Sequence, residues 1–190
     1  MNIQTFNAVM KAALLSAGKK DIRYYLNSVL LDTVESGTTH IISTDGHRML
    51  VVKQLETGLP VGQFIIPREF LESAVKAFSC KHTYDLDITL TDTTIVISGN
   101  GNSQTGTLID AKYADWRRVV PTLDEPVNGL SMNADYVGDA MKAAKLLGKR
   151  GNPVVTFTSS GNNSAMRYDI VPGADYMLEE AFIIIMPCQG

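Results

Sequence analysis

The chain has 190 residues, 45% of them apolar, and a formal net charge of −3, enough length for one or two domains with a sizeable core. That charge argues against a protein that wraps nucleic acid by electrostatics alone, while leaving room for a local basic face. No apolar run reaches the roughly 20 residues of a membrane helix. The start Met1, Asn2, Ile3, Gln4 has no basic-then-apolar leader, and Cys80 and Cys188 form no C-x-x-C pair, so a cytoplasmic, reducing setting is expected.

In chain order, a short extended piece at residues 2–4 leads into a helix at 6–14, with Phe6, Val9, Met10, Ala13 and Leu14 on one stripe. Alternating runs at 24–31, 40–43 and 49–52 predict three strands. Residues 63–66 then predict a lead strand. Pro67 sits where a first helical turn tolerates it, and a helix at 70–78 has Phe70, Leu71, Ala74, Val75 and Phe78 as its stripe. Strands are expected at 86–90, 94–97 and 106–109, with a mobile hairpin loop over 99–106. That loop is glycine-rich but lacks the G-K-[ST] ending of a phosphate loop. A polar, turn-rich linker at 122–129 follows. The last stretch repeats the scheme: extended residues 130–132, Asn133 as an N-cap, a helix at 136–144, and strands at 154–157, 166–170 and 182–185.

This is a βαβββ unit met three times. Each helix contains an apolar-Lys-Ala triplet, at Lys11, Lys76 and Lys142, spaced by 65 and 66 residues. One unit has too little core to stand alone, and two packed together bury both helix stripes against shared sheets. The expected organisation is therefore α+β, with a complete two-unit domain at 1–122 and a half domain at 130–190. The third unit then needs a partner in another subunit or an unusual packing.

Few residues suggest chemistry. Ser43, Asp45 and His47 lie close in sequence, but Asp45-Gly46 is first a turn signal between strands, and a nucleophile, base and orienter must reach one another. A hydrolase centred on His47 is kept as a minor alternative; the expectation is no enzyme. His40, His47 and His82 are the only histidines. With no i, i+4 pair and no cysteine pair, no metal site or cofactor is expected.

Two stretches carry a family resemblance. Arg23, Tyr24, Tyr25, Leu26, Asn27 followed by Ser43, Thr44, Asp45, Gly46, His47, Arg48, Met49 resembles the middle domain of the beta-type bacterial sliding clamp. The run from Leu108 through Trp116, Arg117, Arg118, Val119, Val120, Pro121 resembles the end of that domain. The last unit, with Asn133, Ala134, Asp135, Tyr136 and the closing Ile184, Ile185, Met186, Pro187, resembles the second half of the family's C-terminal domain. The sequence departs from the family pattern at Ala114, Ser28 and the tail Cys188, Gln189, Gly190.

The resemblance implies a DNA-clamp-like fold of three βαβββ units. It implies a processivity role in DNA replication, with polymerase and clamp-loader peptides and duplex DNA as partners, and a homo-oligomer (dimer or tetramer). It places a peptide-binding pocket on Leu26, Thr44, Gly46, His47, Arg48, Met49, Arg118, Val119, Ile184, Met186 and Pro187. It makes Lys11, Arg68, Lys76, Lys142, Lys145, Lys149 and Arg150 candidates to face DNA, through sequence-independent phosphate contacts. A reduced clamp or adaptor that binds clamp-type peptides is the first expectation; a decoy or regulator of a host clamp that does not encircle DNA is the alternative.

Overall fold

The computed structural model describes residues 1–78, 82–120, 131–159 and 165–188. The expected linker at 122–129, the domain boundaries placed around it, Cys80 and the last two residues lie outside the described residues.

Each helix begins and ends for a local reason. Helix α1 (Ile3–Ser16) starts where the Asn2 side chain accepts a hydrogen bond from the Gln4 N–H. At its other end the Arg68 guanidinium donates to the carbonyls of Leu14 and Ala17 at 2.8 and 2.9 Å, satisfying acceptors the helix leaves open. Helix α2 (Arg68–Ala77) follows Pro67, with Glu69 in its first turn and Lys76 in its last, both favourable to the helix dipole. Helix α3 (Ala134–Leu147) is capped by Asn133, which accepts from the N–H groups of Asp135 and Tyr136.

Seven strands form one continuous antiparallel sheet: β1 (Ser28–Thr33), β2 (Thr39–Thr44), β3 (Arg48–Gln54), β4 (Gly62–Pro67), β8 (Val155–Ser159), β9 (Met166–Ile170) and β10 (Leu178–Ile185). Their order is β4-β1-β2-β3-β10-β9-β8. A second sheet holds β5 (Asp87–Leu90), β6 (Thr94–Gly99) and β7 (Asn102–Thr107). The fold is thus α+β, with helices gathered on one face of antiparallel sheets. The third unit joins the first edge to edge, with β10 antiparallel to β3 from Ala181 opposite Val52 to Ile185 opposite Arg48. Its helix α3 packs beside α1.

Alternation along the strands divides the core. Val29, Leu31, Ile41, Leu50, Val52 and Ile183 face the helices. Leu30, Ile42, Met49, Val51, Phe182 and Ile184 face the opposite side, where residues 108–120 cross the sheet as a strap. Covered on both faces, β1 is buried along its whole length, with Val29, Leu30 and Leu31 consecutive between the buried polar residues Ser28, Asp32 and Thr33.

Three local expectations change. Residues 24–26 form a 3-10 turn, with Asn27 binding back to Tyr24, so β1 starts at Ser28. The stretch expected as a mobile loop is a tight two-residue hairpin: Asn100 and Gly101 both take positive φ (48° and 77°), and Asn102–Thr107 is strand β7. Pro67 caps α2 and does not enter it.

Gly106 on β7 lies flat against the ring of Phe70, where an added Cβ would come within 2.5 Å of Cδ2. Gly106→Val is therefore expected to push that ring off its stripe and destabilise by about 1–3 kcal/mol. The check is a lower denaturant midpoint with unchanged slope.

Candidate functional site

The strap and the sheet enclose a cavity of about 220 Å³ on the face away from the helices. Its floor is apolar: Leu26 from the 3-10 turn, Met49 from β3 and Ile184 from β10, all buried, with Trp116 from the strap as a wall. Tyr25 and Tyr113 stand edge to face, with centroids 6.3 Å apart. Burial holds the Tyr113 phenol well above its ordinary pKa, so it stays neutral. Val119 and Met186 are exposed at the rim.

The polar side of the cavity is a rigid turn. The Asp45 carboxylate accepts from the backbone N–H groups of His47 and Arg48 at 3.0 and 3.1 Å, and the Thr44 hydroxyl donates to the Arg48 carbonyl at 2.7 Å. Gly46 takes φ 90°, and a Cβ there would meet the Arg23 guanidinium at 2.8 Å. Arg23 donates to the Asp45 carbonyl at 3.2 Å and grips Asp21, whose carboxyl its hydrogen bonds hold down to about 2. After β10 the tail continues the pairing: Met186 N–H donates to the His47 carbonyl at 3.0 Å.

Helix α3 is tied to this turn. Arg48 bonds Asp45 through Nε at 3.0 Å and reaches Asp139 on α3 with its other arm, while its guanidinium lies 4.6 Å from the centre of the Tyr136 ring. The His47 ring stacks on the same tyrosine. Burial raises the Asp139 carboxyl pKa, but bonds from Lys142 and Arg48 outweigh it and hold the net value below the usual range.

The strap is pinned through Asp32. Its buried carboxylate accepts from Trp116 Nε1 at 3.1 Å and from Arg117 at 2.8 Å. Burial pushes this carboxyl up, and the bonds from Trp116 and Arg117 more than offset that. Arg117 then folds back over the Trp116 ring, 4.2 Å from its centre. His40 on β2 also packs against that ring, with centroids 5.1 Å apart, and burial lowers its pKa.

Of the residues expected to form a pocket, Leu26, Thr44, Gly46, His47, Arg48, Met49, Val119, Ile184 and Met186 line this one cavity. Arg118 and Pro187 do not: Arg118 points to solvent on the strap, and Pro187 lies just past the rim. Arg23, Tyr25, Tyr113, Ala114, Asp115 and Trp116 also line it. Sequence reasoning had these only as parts of matching stretches; the one tryptophan, beside two arginines in a segment with no periodicity, was the signal.

Among the cations, Lys11, Lys76, Lys145, Lys149 and Arg150 are exposed. Lys142 is exposed but bonded to Asp139 at 2.7 Å. Arg68 is a correction: its side chain turns inward to cap α1 and pair with Glu72. The Ser43, Asp45 and His47 side chains form no hydrogen bonds with one another among the described residues. Asp45 is consumed by the turn, and Ser43 Oγ is buried without a partner. No cluster of possible metal ligands occurs among the described residues, and no helix there is long and apolar enough to cross a membrane.

The cavity is apolar with a few fixed polar groups, and residues of all three repeat units line it. Residues 1–115 match the family described as DNA polymerase III beta subunit, central domain, and the chain belongs to that family of sliding clamps. It is 28% identical to the beta sliding clamp of Salmonella typhimurium over 144 residues, 75% of this chain and 38% of that protein. With the Vibrio cholerae beta sliding clamp it shares 31% over 107 residues, 56% of this chain and 29% of the relative. It thus spans well under half the length of these relatives. A sliding clamp from Bartonella birtlesii, solved bound to griselimycin, superposes with a TM-score of 0.71 at 16% identity, covering 100% of this chain and 65% of that one. The corresponding Pseudomonas aeruginosa structure gives 0.69 at 17% identity, covering 100% and 66%. At such identities the superpositions speak for the fold.

Proposed function

We propose that this chain is a cytoplasmic clamp-type adaptor that takes short linear peptides, such as those of replicative polymerases and clamp loaders, in the cavity walled by Trp116. One observation carries the reading: the 3-10 turn, the Thr44–Met49 turn, the strap and the end of β10 come from distant parts of the sequence and converge on one apolar hole. An anchor side chain such as Leu or Phe fills the floor between Leu26, Met49 and Ile184, and the rigid turn offers polar groups to the peptide backbone. Met49 and Met186 adapt to more than one anchor.

The test is a titration of the chain into a labelled peptide carrying a Gln and a Leu or Phe anchor. Saturable binding is expected, weakened at least about tenfold by Met186→Asp, which places a charge at the exposed rim without touching the core. Absence of saturable binding, or binding indifferent to Met186→Asp, contradicts the proposal.

A second reading, a regulator that captures such peptides without enclosing DNA, is favoured by the thinning of the helix-side charge. Arg68 is turned inward and Lys142 is paired. The remaining exposed cations supply weak, salt-sensitive phosphate contact. Peptide binding without retention on circular duplex DNA supports this second reading; retention supports a working clamp.

A further inference from the structure

The strap leaves a second opening on the same face of the sheet. Met49 and Ile184, paired across β3 and β10, floor the cavity described above. The next pair facing that side, Val51 and Phe182, floors a separate crevice of about 300 Å³. Trp116 lines both openings, so its indole is the partition between them. The crevice lies farther back along β10, on the side of Trp116 away from the Met186 rim. Successive same-face rows of a strand are about 7 Å apart, a distance that an extended peptide covers in two residues.

Two guanidinium groups set the chemistry of the crevice. Arg117 lies over the Trp116 ring, 4.2 Å from its centre, and Arg167 from β9 lies over the Phe182 ring at 3.8 Å. Both are already compensated. Arg117 bonds Asp32 at 2.8 Å, and Arg167 bonds Asp169 at 2.7 Å and also Glu180. Two cations set against three carboxylates leave no excess positive charge for a bound anion. His40, which also lines the crevice, adds none, because burial lowers its pKa. A flat, uncharged ring needs no such excess: it is held by a guanidinium face and by apolar neighbours. Arg117 is 49% exposed and therefore within reach of such a ring. Glu180 is 42% exposed, so its carboxylate is free to accept a further hydrogen bond from a phenol O–H or an indole N–H.

We propose that this crevice takes a tyrosine or tryptophan side chain of the same peptide whose Leu or Phe anchor fills the cavity. The inference rests on the peptide reading of that cavity and adds a second point of recognition beyond it. The two side chains straddle Trp116, so they stand two to four residues apart in the peptide: two for the strand spacing, and up to two more to pass over the indole.

The test titrates the full chain into labelled peptides that share one anchor. Each carries a tyrosine two, three or four residues to one side of the anchor or the other, and each is compared with the same peptide bearing alanine at that place. One register is expected to bind about tenfold tighter than its alanine control. Arg167→Ala is expected to cut that gain to less than about twofold, and so is Val120→Trp, which fills the crevice from the strap without removing a charge. Because each gain is read against the alanine peptide on the same variant, a general loss of affinity cancels. If the anchor peptides bind and no register gains over its control, the inference is overturned and the reading of the cavity stands. A gain that survives both substitutions overturns it as well. Absence of any anchor binding overturns the cavity reading and this inference together.

Discussion

Asp32→Ala is expected to cost about 2 kcal/mol of stability and to weaken peptide binding about tenfold, because it releases the wall of the cavity. The carboxylate is 8% exposed and accepts from Trp116 Nε1 and Arg117. Arg117 is 49% exposed, so its ion pair contributes little by itself. Most of the loss comes from the indole N–H left buried without an acceptor. Asp32→Asn separates the two parts: its amide oxygen still accepts from Trp116, so its cost should be about half as large. The pH dependence has a definite sign. The folded-state pKa of Asp32 is lowered, so its contribution is full above the ordinary carboxylate value and is lost as pH falls through the folded value. Wild-type stability should drop more steeply on the acid side than that of Asp32→Ala, as read from urea midpoints across pH.

The second large effect is expected at Arg48. Its side chain is 13% exposed and spans Asp45 and Asp139, joining the turn that shapes the cavity to the helix of another unit. Arg48→Ala is expected to destabilise by about 2–3 kcal/mol, below the range for a fully buried pair because both partners keep some water. A double-mutant cycle with Asp139→Ala should show a coupling of about 1 kcal/mol or more, since the side chains bond directly. Additive losses would mean that α3 is held by the β10–β3 pairing and the apolar contacts of α1 alone. Asp139 also has a lowered pKa, caused by Lys142 and Arg48 against the opposing effect of burial, so this coupling should fade with acid.

Much of the fold was legible in the sequence, because helices and half-buried strands carry their periods in the chain. The stripe Phe6, Val9, Met10, Ala13 and the alternation in β1 to β3 marked the elements and the inner face. The three apolar-Lys-Ala triplets marked the repeat. What escaped depends on contacts between distant residues. The union of β10 with β3 places Ile184 opposite Met49, and nothing local in either strand announces it. Arg68 looked like a helix-face cation, yet the end of α1 offers it two open carbonyls. The loop over 99–106 looked mobile from its glycines, but Asn100 and Gly101 satisfy the turn between two twisted strands. The floor of the site came from a motif resemblance. The strap was marked by its lone tryptophan and by the resemblance at Val119, but what holds it in place came only from the fold, because Trp116 bonds to Asp32, 84 positions away.

Trp116 is the only tryptophan in the chain and lines the cavity, so its fluorescence tests the proposed peptide site most directly. Titrating an unlabelled peptide with a Leu or Phe anchor is expected to give a saturable change in Trp116 emission and reduced quenching by acrylamide, while a peptide with the anchor replaced by Ala gives neither. Emission and quenching that stay constant while the peptide demonstrably binds would place the peptide elsewhere on the molecule and contradict the assignment.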